Sequence, residues 1–163
     1  MSISLALTIA PLLRSRSLKL ATAESCTGGL VADRITGVPG SSDYFVGGVV
    51  AYSYEAKAIL LHVSWDTLRK SGAVSRETVV EMARGVRTVL GADIGISVSG
   101  IAGPGGGLPE KPVGTTWIGL SAREGDWARL FTWKGNRHSN KEASANAALQ
   151  FVLDYLDGHP SNG

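Results

Sequence analysis

The stretch that decides the fold runs Leu18-Lys19-Leu20-Ala21-Thr22-Ala23-Glu24-Ser25-Cys26-Thr27-Gly28-Gly29-Leu30-Val31-Ala32-Asp33-Arg34-Ile35. Its first six residues are a short apolar run of the kind a buried strand needs. Thr27-Gly28-Gly29 then opens a predicted helix that continues to Ile35, and Gly, Pro and Ser over residues 37–42 supply turn chemistry. A strand feeding a helix through a glycine turn is the repeating unit of an α/β fold.

The alternation continues downstream. Residues 45–53, rich in Val and Tyr, read as a second strand, 55–61 as a short helix and 65–70 as another. The clearest helix starts at Ser75, whose hydroxyl caps the free N–H groups while Val74 and Val79 form a hydrophobic staple. Val79, Met82, Ala83, Val86, Val89 and Leu90 make its apolar stripe, and Gly91 stops it. A strand over 93–99 precedes a loop over 100–112. Strands over 113–122 and 127–133 flank Glu124-Gly125-Asp126 as a hairpin, which must be antiparallel. A last helix spans 140–156 and buries Ala147, Ala148, Phe151, Val152 and Tyr155. The expectation is an α/β fold: a three-layer α/β/α sandwich around a mixed, mostly parallel sheet.

The chain has 163 residues, 44% hydrophobic and 18% charged, which suits one globular domain over 1–163. No linker, repeat or low-complexity block divides it. The net charge of +2 is not gathered into any Lys/Arg block, so neither a nucleic acid nor a membrane partner is proposed by charge. Cys26 is the single cysteine, which excludes an intrachain disulfide and a Cys-based zinc site and points to a reducing, cytoplasmic setting. His62, His138 and His159 show no ligand spacing, so no metal site is expected. Residues 1–13 are apolar, but no basic stretch precedes them and they are too short to cross a bilayer. Leu5, Ile9, Leu12 and Leu13 recur at helical spacing, so the segment reads as an amphipathic helix whose start or axis Pro11 disturbs.

The 21 glycines are about twice the usual frequency of roughly 7%. They concentrate at Gly28-Gly29, at Gly47-Gly48 and over 100–107, where either tight turns or close approach to a ligand would use them. Common motifs fail. Gly103-Pro104-Gly105 begins a dinucleotide fingerprint, but Leu108 replaces its third glycine. Pro112 follows Lys111, so there is no P-loop, and Gly95-Ile96-Ser97-Val98-Ser99 lacks the last glycine of a nucleophile elbow. What remains is a glycine-rich loop at one strand end beside the Glu24–Gly29 turn, and strand ends are where open α/β sheets bind ligands. Free N–H groups after Ser25 would hold a phosphate or an oxyanion, and Ser25 is either a nucleophile or a simple helix cap. Tyr52 and Lys57 would point about 140° apart on one helix. On a strand end followed by a helical turn, both reach one pocket. Lys57 lies among Ala56, Ala58, Ile59, Leu60 and Leu61, and desolvation there would lower its pKa enough to take a proton from a serine. The plainer alternative is a solvated Lys and a half-buried Tyr.

Five colinear motifs carry a resemblance. Ala21-Thr22-Ala23-Glu24-Ser25-Cys26-Thr27-Gly28-Gly29 is similar to the signature of the CinA C-terminal domain family. So are Val38-Pro39-Gly40-Ser41-Ser42, Gly47-Gly48-Val49-Val50-Ala51-Tyr52-Ser53, Gly72-Ala73-Val74-Ser75 and Gly100-Ile101-Ala102-Gly103-Pro104-Gly105-Gly106-Gly107, followed by Lys111-Pro112-Val113-Gly114-Thr115. The resemblance covers residues 18–155. It implies a nicotinamide-nucleotide amidase of pyridine-nucleotide recycling, which hydrolyses the carboxamide of nicotinamide mononucleotide to nicotinate mononucleotide and ammonia without metal or cofactor. It implies Ser25 as nucleophile, Lys57 as general base and Tyr52 as its partner, with Ser99 toward the substrate amide or oxyanion. Arg137 would meet the phosphate, where a guanidinium fork suits the geometry. Cys26, Thr27, Gly28, Gly29, Gly48, Gly100 and Gly103 complete the candidate substrate contacts.

Three positions depart from the family pattern: Ser99 for Thr, Tyr54 for Asn and Asn136 for Asp. Tyr54 would put bulk beside the base, and Asn136 would remove a charge that orients Arg137. The resemblance further implies a homo-oligomer. It also implies that the longer family type carries an N-terminal domain resembling molybdopterin-binding proteins, for which 163 residues leave no room. Two other functions compete: a non-catalytic nucleotide-binding module linked to competence or DNA damage, which Tyr54 favours, and a thiol enzyme using Cys26.

Overall fold

The computed structural model describes residues 2–163, with side chains from Leu5 onward. Met1, at the start of the expected first helix, lies outside the described residues. Five strands, β1 (Leu20–Glu24), β2 (Phe45–Val50), β3 (Ile94–Gly100), β4 (Thr115–Ala122) and β5 (Gly125–Thr132), form one sheet in the order β2-β1-β3-β4-β5. β1 pairs in parallel with β2 and with β3, while β3–β4 and β4–β5 are antiparallel. The sheet is therefore mixed, with β4 alone running against the other four strands. Two of its four pairings are antiparallel, because the loop over 101–114 reverses the chain between β3 and β4 and the tight turn reverses it again into β5.

Helices cover both faces. α1 (Ser2–Ser15), α2 (Leu30–Thr36) and α6 (Arg137–Leu156) pack on one side over Leu20, Ile94, Ile96, Val98, Ile118 and Leu120. On the other side, α3 (Tyr54–Leu61), α4 (Trp65–Ser71) and α5 (Arg76–Leu90) close over Ala21, Ala23 and Ala51 with Leu61, Leu68, Met82 and Val86. This is a three-layer α/β/α domain.

α1 continues unbroken past Pro11. Pro11 and Leu7, four residues earlier, both sit on the solvent side, where the carbonyl that proline leaves without a partner meets water. Ala6, Ile9, Ala10 and Leu13 supply its buried face. α5 opens as its sequence requires, with the Ser75 hydroxyl accepting from Thr78 N–H at 3.2 Å and Gly91 closing it in the left-handed region. Val89 departs from the expected stripe and is exposed, because the stripe rotates off the sheet over the last turn. α6 begins at Arg137, three residues earlier than expected, because Asn136 caps it through Ser139 N–H. Its buried face is Ala145, Ala148, Leu149, Phe151, Val152 and Leu156, leaving Ala147 and Tyr155 half-buried.

α5 lies unusually close on the sheet. A Cβ on Gly95 would fall 2.1 Å from the Ala83 carbonyl, and one on Gly119 would fall 2.4 Å from the Val79 carbonyl. Ser97 Oγ donates to the same Val79 carbonyl at 2.6 Å. Glycine at these two positions is a packing requirement, not a flexibility.

Candidate active site

The chain passes from β1 to β2 on one side and returns to β3 on the other, so a topological switch point lies at the carboxyl end of β1. That crevice is where open α/β sheets place ligands. The period-two alternation of β1 sends Leu20, Thr22 and Glu24 toward α2, and Ala21 and Ala23 toward α5. Ser25, next in line, falls on the α3–α5 side.

Lys57 comes to it from the first turn of α3, capped by Ser53. Its side chain is 1% exposed and that of Ser25 8%. Lys57 Nζ donates to Ser25 Oγ at 3.0 Å and to the Ala51 carbonyl at 2.9 Å. Burial pushes the Lys57 ammonium down from 10.5 to about 8, partly opposed by the charge that the nearby Cys26 can carry. A buried amine that loses its proton near neutrality, within hydrogen-bond reach of a hydroxyl, has the geometry of a nucleophile–base pair. The solvated-lysine alternative is excluded by this burial.

Ser25 does not cap α2. Gly28 and Gly29 have φ of 63° and 104°, which no right-handed helix continues, so α2 starts at Leu30 and not at Thr27. The cap is Glu24: its carboxylate, 1% exposed, accepts from Val31 N–H at 2.9 Å and Ala32 N–H at 3.1 Å. The helix opening expected to hold a phosphate is thus occupied by a carboxylate of the chain itself. The sequence carries a signal for this, an acid seven residues before an apolar helix position, but it lies outside the usual capping spacing.

Ser25, Cys26, Tyr52, Lys57, Ser99, Gly100, Gly103 and Arg137 all line one cavity of about 270 Å³, a volume at the lower edge of small-molecule sites. Ala73, Val74, Ile101, Ala102, Gly105 and Gly106 complete its wall. These six did not figure among the expected site residues, although each lies within a motif that carries the resemblance. Thr27, Gly28 and Gly29 lie outside the cavity, on a neighbouring cleft shared with His138 and Lys141, because the turn points them toward α6. Gly48 is also outside, in β2, where a Cβ would fall 2.3 Å from Thr22 Oγ1.

The remaining expectations resolve by contact. Ser99 Oγ donates to the Ala73 carbonyl at 2.7 Å, tying the loop before α5 to the end of β3. Arg137 donates to the Gly103 carbonyl at 2.8 Å and to Tyr52 Oη at 3.0 Å, linking both sides of the cavity mouth. Tyr52 is 60% exposed, and its hydroxyl accepts from Arg137, not from Lys57. Asn140, buried on α6, donates to the Ala102 carbonyl at 3.1 Å and fixes the glycine-rich loop from behind. Tyr54 turns away from the base: its hydroxyl accepts from Ala73 N–H at 3.3 Å, and it does not line the cavity. Asn136 spends its side chain on capping α6 and takes no part in holding Arg137. Burial pushes the Cys26 thiol up to about 11, against hydrogen bonds from the N–H groups of Cys26 and Gly100. A thiol that keeps its proton is a poor nucleophile. Among the described residues, no group of His, Cys, Asp and Glu could hold a metal.

Fold and site together define a three-layer α/β domain with a small-molecule cavity and a buried Ser–Lys pair at the sheet's switch point. The model of the CinA C-terminal domain matches residues 2–156, and the chain belongs to that family. It is 49% identical over 141 residues to a CinA-like protein of Desulfotalea psychrophila, covering 86% of this chain and 34% of that one. It thus spans about a third of the length of such curated relatives. The crystal structure of the competence/damage inducible protein CihA from Agrobacterium tumefaciens superposes with a TM-score of 0.92 at 38% identity, covering 96% of this chain and 95% of that chain. A CinA superfamily protein from Klebsiella pneumoniae gives 0.93 at 34% identity, covering 97% and 99%.

Proposed function

We propose that the domain hydrolyses the carboxamide of nicotinamide mononucleotide to nicotinate mononucleotide and ammonia. The observation that carries this reading is the 3.0 Å contact between Ser25 Oγ and a Lys57 amine whose burial lowers its pKa to about 8. Neutral Lys57 takes the Ser25 hydroxyl proton as Oγ bonds to the carboxamide carbon, giving a tetrahedral adduct. Collapse of that adduct breaks the C–N bond, and Lys57 returns the proton so that ammonia leaves. Water then attacks the acyl-serine with Lys57 as base, releasing carboxylate and restoring Ser25.

The Ala51 carbonyl contributes by orienting the Lys57 amine toward Ser25. Arg137 at the cavity mouth offers the remaining donors of its guanidinium to the phosphate of the substrate. Tyr54, directed at Ala73, leaves the base unobstructed, which removes the feature that favoured a non-catalytic binding module. Cys26 as a free thiol suits a reducing, cytoplasmic setting. Among the described residues, no helix is long and apolar enough to cross a membrane.

The test is ammonia release from nicotinamide mononucleotide by the purified protein beside Ser25→Ala. The parent is expected to turn over and Ser25→Ala to lose at least about a thousandfold, with its circular dichroism unchanged. Binding of the nucleotide without ammonia release by the parent would select the binding module instead.

A further inference from the structure

Residues 102–107 form one wall of the cavity, and the sheet does not hold them. At the root of the wall, Ile101 N–H donates to the Thr115 carbonyl at 2.8 Å, and its carbonyl accepts from Gly114 N–H at 2.7 Å. Past its far end, Leu108 bridges to Lys111. Between those points, among the described residues, two hydrogen bonds reach the segment, and both come from the first turn of α6. Asn140 donates to the Ala102 carbonyl at 3.1 Å, and Arg137 to the next carbonyl, Gly103, at 2.8 Å. The two side chains are three residues apart, on one face of the helix.

Arg137 is exposed at the cavity mouth and also donates to Tyr52 Oη at 3.0 Å. A phosphate arriving there competes with Gly103 for its guanidinium. Asn140 has no such freedom. It is 2% exposed, and each polar atom of its side chain is engaged. Oδ1 accepts from Gly135 N–H at 3.0 Å, while Nδ2 donates to the Gly135 carbonyl at 3.0 Å and to Ala102. The side-chain amide thus closes a ring with the backbone of Gly135, two residues before Arg137, and spends its remaining N–H on the cavity wall. Its main-chain carbonyl accepts from Ser144 Oγ at 2.7 Å, which accepts in turn from Trp133 Nε1 at 2.9 Å. An aspartate of the same shape has no donor for either carbonyl.

We infer that Asn140 is a positioning residue for substrate binding. It keeps the 102–107 wall in register with the segment that launches Arg137, so Arg137 can leave Gly103 for a phosphate while the wall stays in place. Asn140 does not line the cavity and acts only through these groups. The ligand is the nucleotide of the amidase reading, on which this inference rests.

Asn140→Leu keeps the bulk and removes all three side-chain hydrogen bonds. Asn140→Asp keeps the one from Gly135 N–H, loses both donations, and carries the test where the leucine variant does not fold. Each is expected to raise KM for nicotinamide mononucleotide about tenfold with kcat within about twofold of the parent. The rate should level off at the same pH, because Ser25 and Lys57 stand on other elements. In an Arg137→Met background, either change should raise KM by no more than about twofold further, since the group it positions is gone. A merely structural lesion would act in full there too. Calorimetry with the same nucleotide on Ser25→Ala, with and without the change at 140, should read the tenfold loss without turnover. A fall in kcat at unchanged KM, a shifted pH profile, full additivity with Arg137→Met, unchanged binding, or loss of fold in both variants would each overturn the assignment. A parent that releases no ammonia, beside a Ser25→Ala protein whose binding depends on Asn140 as expected, would instead retire the amidase reading and leave this one standing.

Discussion

Raising the pH is the sharpest perturbation of the proposed chemistry, because one buried group should govern both rate and stability. Lys57 falls from 10.5 to about 8 through burial. The base is then neutral in about 1% of molecules at pH 6, about 9% at pH 7 and about 90% at pH 9. Ammonia release under saturating substrate should therefore rise about tenfold from pH 6 to 7 and level off above pH 8 to 9. A lysine in water would keep climbing to beyond pH 10. The same fall has a thermodynamic counterpart. Between about 8 and 10.5 the unfolded chain holds the Lys57 proton and the folded chain does not, so this group adds stability as pH rises through that window. Below about 8 both states are protonated, and the penalty of roughly 3 kcal/mol is fully present. Cys26, raised from 9.0 to about 11, works in the opposite direction as pH rises through that range. The readout is thus the difference between parent and Lys57→Met in denaturant unfolding across pH 7 to 11. A rate independent of pH from 6 to 9, or one still rising tenfold per unit at pH 10, would refute the reasoning. So would parallel stability curves for the two proteins.

Three further outcomes follow from contacts. Cys26→Ala should keep its ammonia release within a few-fold of the parent while losing about 1 kcal/mol on thermal unfolding, because a small buried group is removed and no nucleophile is. Glu24→Ala should cost about 2 to 4 kcal/mol in denaturant unfolding, since the Val31 and Ala32 N–H groups lose the carboxylate that caps α2. Tyr54→Asn should leave kcat unchanged and lower stability by less than about 1 kcal/mol, because its hydroxyl touches only the turn before α5; a rise in kcat would instead place Tyr54 against the base.

Much of the architecture was legible because it rests on local rules. The apolar run at 18–23 and the staple of Val74 and Val79 around Ser75 each encode their element within a few residues. So does the late hairpin, although its turn falls at 123–124 and Gly125 and Asp126, expected in the turn, already belong to β5. The Ser25–Lys57 meeting was legible as a possibility from spacing, yet only the fold brings Nζ to 3.0 Å from Oγ across 32 residues. What escaped was non-local. The one hint around Glu24, an acid seven residues before an apolar helix position, lies outside the usual capping spacing and does not say that its carboxylate reaches past two glycines to α2. Glycine was ambiguous for the same reason: the Gly28-Gly29 pair serves a turn, Gly48 clears Thr22, and Gly103 lines the cavity. One residue type in three environments leaves one signal. Tyr54 and Asn136 were misplaced because a sequence gives a side chain's neighbours along the chain but not its direction.

The glycine seat beneath α5 has a consequence for how this pocket can change. Ala83 and Val79 carbonyls rest where any Cβ on Gly95 or Gly119 would collide, and Ser97 bolts the same helix down. The loop carrying Ala73 and Val74 is continuous with that helix and is held to β3 by Ser99, so one wall of the cavity is incompressible. The opposite wall is loop from Ile101 to Gly106, anchored at Ala102 and Gly103 by two side chains of α6. Laboratory evolution toward bulkier or differently shaped amides should therefore accumulate its substitutions in that loop and in the opening turn of α6, leaving the helix-facing wall untouched.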